Sequence, residues 1–153
     1  MLDNLYFLSR IPNVKRVTNY IQVLTNEYKY KDIYCNQQII NRGFLTDGAS
    51  RPNWLEFYVQ KDSLNNGAFL IHDHMYWHQY STRSDADRLL LINLLRNPNN
   101  RVSWCIMVYL TLRITGGSAR KQNIKVRREM GLRNRYMQND DILELEKVVN
   151  DDE

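Results

Sequence analysis

Apolar and polar positions alternate over short stretches in the first half of the chain and recur at helical spacing in the second. Val17, Tyr20, Ile21, Val23, Leu24, Tyr28 and Tyr30 are β-formers with Asn26 as a turn among them, so residues 17–30 read as strand. Ile33-Tyr34-Cys35 and then residues 37–41 suggest a second hairpin arm. Residues 1–15 are mixed, broken by Pro12, and read as a short amphipathic lead-in. The segment from Gly43 to Trp54 is dense in turn residues. Asp47-Gly48 signals a tight turn and Arg51-Pro52 favours extended backbone.

From Asn66-Gly67 onward the pattern turns helical. A helix is expected over 68–80, ended by Ser81-Thr82. Thr82 followed by Asp85 forms a capping box that opens a second helix over 83–97. Asn97-Pro98-Asn99-Asn100 breaks the chain, and a very apolar third helix follows over 101–115, stopped by Gly116-Gly117. The fold class is therefore α+β: a small N-terminal antiparallel sheet packed on a three-helix C-terminal half. Residues 1–117 form one globular domain. Residues 118–153 form a charged arm, basic through Arg120, Lys121, Lys125, Arg127, Arg128, Arg133 and Arg135, then acidic from Asp140. Within its acidic part, residues 142–149 allow a short amphipathic helix.

Composition changes this picture little. The chain of 153 residues is 43% apolar with ten tyrosines, which fits a packed core. Its net charge of +4 becomes informative only through its concentration in the arm. Cys35 and Cys105 have no CxxC context, so neither a zinc knuckle nor a disulfide framework is indicated. The N-terminus does not read as a signal peptide, and the longest apolar run, Val102 to Leu112, is too short to span a bilayer. The expected location is the host cytoplasm or a virion.

The candidate chemistry lies in Leu70-Ile71-His72-Asp73-His74-Met75-Tyr76 and in Asp87. Polar groups set between apolar residues need partners, because burying them alone costs several kcal/mol. Asp87 shares a helical stripe with Leu90, Leu91 and Leu94, and the preceding helix offers His72. If Asp87 holds one imidazole nitrogen, the other is oriented to act as a base. Asp73 and Asp47 then offer oxygen ligands to a hard cation such as Ca2+, with carbonyls from the Gly48 region. The bland alternative is a buried His–Asp bond that only staples two helices. His74 and His78, at i and i+4, offer two ligands to a transition metal, or are simply surface histidines. The basic arm offers Arg120, Lys121, Arg127 and Arg128 to phosphates. The acidic segment that follows disfavours nucleic acid and suggests instead a solvated helix that pairs with an acidic tail.

Three ordered motifs carry a resemblance: residues 43–52, then His72-Asp73-His74-Met75-Tyr76, then residues 82–87. Together they resemble the bacterial and phage family called domain of unknown function 1353, over roughly residues 20–117, with Tyr109 to Gly116 similar to its closing helix. The resemblance implies a phage or prophage origin and no known activity. In that loop Thr46 and Ser50 are candidate binding residues. A second, local similarity is to secreted-type phospholipases A2. It implies His72 as the base, Asp87 as the acid that orients it, Tyr76 as a support, Asp73 as a calcium ligand and the Asp47-Gly48 loop as the calcium loop.

These readings support a phage-encoded accessory hydrolase acting on an ester or amide of the cell envelope, such as lipid or peptidoglycan. A rival reading is a non-catalytic virion or tail protein whose motifs are structural and whose arm docks on neighbouring virion proteins. A third is a host-factor or nucleic-acid binder acting through the arm. An oligomer fits any of them.

Overall fold

The structure is a computed structural model, and it describes residues 12–18, 21–46, 63–131 and 135–143. The lead-in up to residue 11, the loop over 47–62 and the tail from residue 144 lie outside the described residues.

The strand signal over 17–30 resolves into two separate strands, and a further strand begins inside the stretch read as a lead-in. β1 (Val14–Arg16), β2 (Gln22–Leu24) and β5 (Leu45–Thr46) form a three-stranded antiparallel sheet in the order β1-β2-β5. Val14 faces Leu24 and Val23 faces Leu45 across it. β3 (Tyr28–Lys31) and β4 (Gln37–Ile40) pair antiparallel in a sheet of their own. A turn breaks the expected run: the Val17 amide donates to the Ile21 carbonyl at 2.8 Å, and the Ile21 amide donates to the Thr18 hydroxyl. Along β3 the side chains alternate, with Tyr28 and Tyr30 buried and Lys29 exposed.

Residues 33–35, expected as strand, form the β3–β4 turn instead. The Asp32 carboxylate accepts from the amides of Tyr34 and Asn36, both at 2.9 Å, and from the Gln38 side chain. Cys35 takes a left-handed φ of +63° to close it.

Three helices follow among the described residues. α1 (Ser63–His78) starts earlier than its apolar pattern, and it ends at His78 because Gln79 takes φ +59° and donates its amide to Met75 at 3.1 Å. α2 (Arg83–Arg96) opens on the expected capping box, with Thr82 and Asp85 bonding each other's amides. The break after it is tied down by asparagines: Asn97 and Asn100 both donate to the Asn65 side chain at the start of α1.

α3 (Val102–Met130) corrects one expectation. It runs through Gly116-Gly117 and ends at Gly131, which has φ +83° and donates to Arg127. A helical glycine weakens a helix without ending it. The residue is small here because Tyr76 crosses α3 at this point, and a Cβ on Gly116 would lie 2.8 Å from the Tyr76 hydroxyl. The first part of the basic arm, residues 118–130, is thus the continuation of the third helix. Residues 139–143 are also helical, with Ile142 buried beside Gly43.

α1 is the middle layer, and every residue from 67 to 77 is buried. One apolar cluster joins Leu70, Ile71, Met75 and Trp77 of α1 to Leu24, Tyr28, Tyr30, Ile40 and Phe44. A second joins Ala68 and Phe69 to Leu90 and Leu94 of α2 and to Cys105, Val108 and Leu112 of α3.

Candidate functional site

The burial of α1 on all sides explains why three successive polar residues sit at its centre. Neighbouring positions on a helix differ by about 100°, so each of the three looks at a different layer. His72 faces α2, where its Nε2 lies 2.9 Å from Asp87 Oδ1. Asp73 faces β5, and its Oδ2 accepts a close hydrogen bond from the Thr46 hydroxyl. His74 faces β3, where its Nδ1 shares a hydrogen bond with the Tyr30 hydroxyl at 3.1 Å.

Asp87 is fully buried and is the hub of the site. Oδ1 receives His72 and the Tyr76 hydroxyl, the latter at 2.7 Å. Oδ2 receives the Arg113 guanidinium at 3.0 Å, and Arg83 stands 3.6 Å away. Burial alone pushes the Asp87 carboxyl up. The bonds from His72 and Tyr76, then the charge on His72 and the Arg113 bond, outweigh it and hold the group below its ordinary value. Burial, together with the bond to Asp87, pushes the Tyr76 phenol up. Arg83 is itself fixed by the Tyr76 hydroxyl and by the carbonyls of Leu112 and Arg113.

An ionised Asp87 only accepts hydrogen bonds, so His72 Nε2 carries a proton, and in the neutral ring the lone pair is on Nδ1. That Nδ1 is buried, and among the described residues it has no hydrogen-bond partner. His72 and Asp73 line a cavity of about 370 Å³, walled on the other side by α3 residues including Leu112, Gly116 and Asn123, with Arg135 also in its lining. The Arg135 guanidinium lies over the Trp77 ring at 5.4 Å.

The remaining predicted residues divide. Asp47, Gly48 and Ser50 lie outside the described residues. Thr46 is brought into the site through Asp73. Among the described residues no group of three His, Cys, Asp or Glu side chains is placed to hold a metal ion. His74 is not a surface histidine: it is buried against Tyr30 and Phe44, and its ring stacks on His78 at 4.2 Å. Burial and then the neighbouring His78 hold its pKa well below the usual value, while burial and then Arg127 lower that of His78. His78 Nε2 shares a hydrogen bond with the Tyr136 hydroxyl at 2.9 Å.

Within the basic stretch, Arg120 and Arg127 are built into the fold. Arg120 donates to the Ser81 carbonyl at 2.6 Å, and Arg127 donates to the Trp77 and His78 carbonyls at the C-terminal end of α1. Lys121 and Arg128 are exposed. Sequence reasoning missed Arg83, Arg113, Gly116 and Arg135. Arg83 carried a usable signal, standing four residues before Asp87 on one helix. Arg113 carried a fainter one, as a cation at the end of an apolar run.

Residues 22–111 match the model of a family described as "Protein of unknown function (DUF1353)". No curated protein and no solved structure matches the chain.

Proposed function

The chain belongs to the DUF1353 family, whose description names no activity, and from the site we propose a hydrolase in which His72 is the general base. The observation that carries this reading is the unpartnered Nδ1 of a histidine whose Nε2 is held by a buried carboxylate and whose ring lines a cavity. Nδ1 takes a proton from a water molecule as the water oxygen bonds to a carbonyl carbon. The proton then passes from His72 to the leaving oxygen or nitrogen, and an acid and an alcohol or amine result. Asp87 fixes the tautomer and balances the charge on the ring, and Tyr76 and Arg113 fix Asp87.

The substrate proposed is an ester or amide of a cell envelope, and the protein is proposed to be phage-encoded and to act in the host cytoplasm or from a virion. Calcium is proposed at Asp73 with Asp47 and Gly48. The buried Asp73 carboxylate beside His72 suits a hard cation, while its Oδ2 already accepts from Thr46.

The test is turnover of phospholipid and peptidoglycan panels by purified protein and by His72→Gln, which keeps a donor for Asp87 and lacks the base. Turnover that falls about 10²–10⁴-fold in a folded variant is expected. Equal turnover in both proteins, or none from the folded wild type, ends this reading.

A second reading has its own observation. Asp87 ties together α1, α2 and α3 through His72, Tyr76, Arg83 and Arg113, which is what a purely structural staple requires. The protein is then a non-catalytic virion or tail component, detectable in purified particles.

A further inference from the structure

The outer face of α3 changes chemistry along its length. Val102, Ile106, Leu110 and Ile114 recur every four residues, each step advancing about 40° around the helix, and Met107 closes an arc of about 140°. All five are exposed, from 45% at Ile106 and Met107 to 83% at Ile114. They extend about 18 Å along the axis. Beyond them, Lys121, Lys125 and Arg128 fall within the same arc, about 100°, 140° and 80° from Val102, and all three are exposed. Arg113 falls within the apolar half, one residue before Ile114, and its guanidinium is turned to Asp87; between the two halves the arc holds Gly117, against which Arg83 lies. The one acid of the helix, Glu129, lies at the margin of this face.

We infer that this face of α3 is a docking surface for an anionic lipid bilayer. The apolar half enters the interface and the cationic half meets the lipid phosphates. The strength of interfacial binding grows with buried apolar area and with attraction to anionic lipids, and this helix carries apolar and cationic residues on one side. No described helix is long and apolar enough to cross a membrane, so the helix lies on the surface. Charge selects the occupant. A nucleic acid uses the cations and leaves five apolar side chains in water. A second copy laid face to face on this helix brings only Glu129 from its own helix to meet the cations; pairing with the acidic tail after residue 143 would engage the cations and leave the apolar half uncovered. The acids Asp140 and Asp141 belong to the segment anchored by Ile142 beside Gly43, not to α3. The surface is independent of the chemistry at His72, whose cavity lies against the opposite side of the helix.

The experiment is flotation of the full chain with vesicles of phosphatidylcholine alone and of phosphatidylcholine mixed with phosphatidylglycerol. Light scattering of the free protein is measured in parallel. Binding to the mixed vesicles only, weakened by salt, is expected. Lys121→Glu with Lys125→Glu removes at least two cationic contacts, each worth roughly fivefold in affinity. Leu110→Gln with Ile114→Gln abolishes binding, and because these side chains already face solvent the fold survives, as circular dichroism verifies. Binding to neither vesicle overturns the inference. So does binding that either pair of substitutions leaves unchanged. A dimer of the free protein that the Leu110/Ile114 pair dissolves, without vesicle binding, assigns the face to a second copy instead.

Discussion

Gly116→Ala and Gly117→Ala are neighbouring substitutions for which the structure sets opposite outcomes. Each replaces a glycine inside a continuous helix, so each gains about 1 kcal/mol of helix propensity. At Gly117 the new methyl meets the Arg83 guanidinium at 3.0 Å, the far end of a long, partly exposed side chain that can give by a few tenths of an ångström while keeping its bonds to the Leu112 and Arg113 carbonyls. At Gly116 it lies 2.8 Å from the Tyr76 hydroxyl, and that phenol is buried and pinned by Asp87 at 2.7 Å and Arg83 at 3.3 Å. Moving the ring breaks the bond to a buried carboxylate, which costs about 1.5–3 kcal/mol. The balance at Gly116 is therefore a net loss of about 0.5–2 kcal/mol, while Gly117→Ala is neutral or stabilising by up to about 1 kcal/mol. Urea denaturation followed by far-ultraviolet circular dichroism measures both, provided the denaturant slope is unchanged. Equal stabilisation by the two variants would refute the close approach of α3 to Tyr76, and with it the wall of the cavity.

Other outcomes follow from the same contacts. His72→Ala takes one hydrogen-bond donor away from buried Asp87 and lowers stability by about 1–3 kcal/mol in the same denaturation assay; a loss near zero refutes the pairing. Burial holds the folded His74 below its ordinary value of 6.5, so the unfolded chain binds more protons as pH falls through that value. Stability is then full above about pH 6.5 and declines below it, and His74→Gln flattens the decline; a flat stability profile from about pH 8 to 5 contradicts the burial. Asp87 titrates separately, its contribution lost only as pH falls below its ordinary value of 3.8. Calorimetric titration with Ca2+ is expected to give heat with wild type and none with Asp73→Asn; no heat in either removes calcium from the proposal.

Much of the helical half was legible. The capping box at Thr82 and Asp85 and the break at Pro98 are local signals, and local signals survive tertiary packing. The His72–Asp87 pair was legible because a carboxylate on a leucine stripe demands a partner. The small antiparallel sheet and its arm at 37–41 were legible too, but the strand bounds were not, since short runs of β-formers do not say where a turn interrupts them. Asp32 settles one such place by collecting two turn amides. The end of α3 was misplaced because Gly116-Gly117 carries the same letters whether it caps a helix or admits a neighbouring side chain. Only the crossing of Tyr76 distinguishes the two. His74 was misread as surface because sequence spacing does not show that β3 covers the third side of α1.

The position of α1 also bears on how the molecule comes apart. Ala68 and Phe69 belong to the cluster among the helices, and Leu70 and Ile71, the next two residues, belong to the cluster against the strands. A single turn of helix thus stitches both cores, and the polar anchors at 72, 73 and 74 repeat the stitch toward α2, β5 and β3. Neither core can release this turn without opening the other. Strands and helices are therefore expected to open together, with the amide protons of this turn exchanging only on global unfolding.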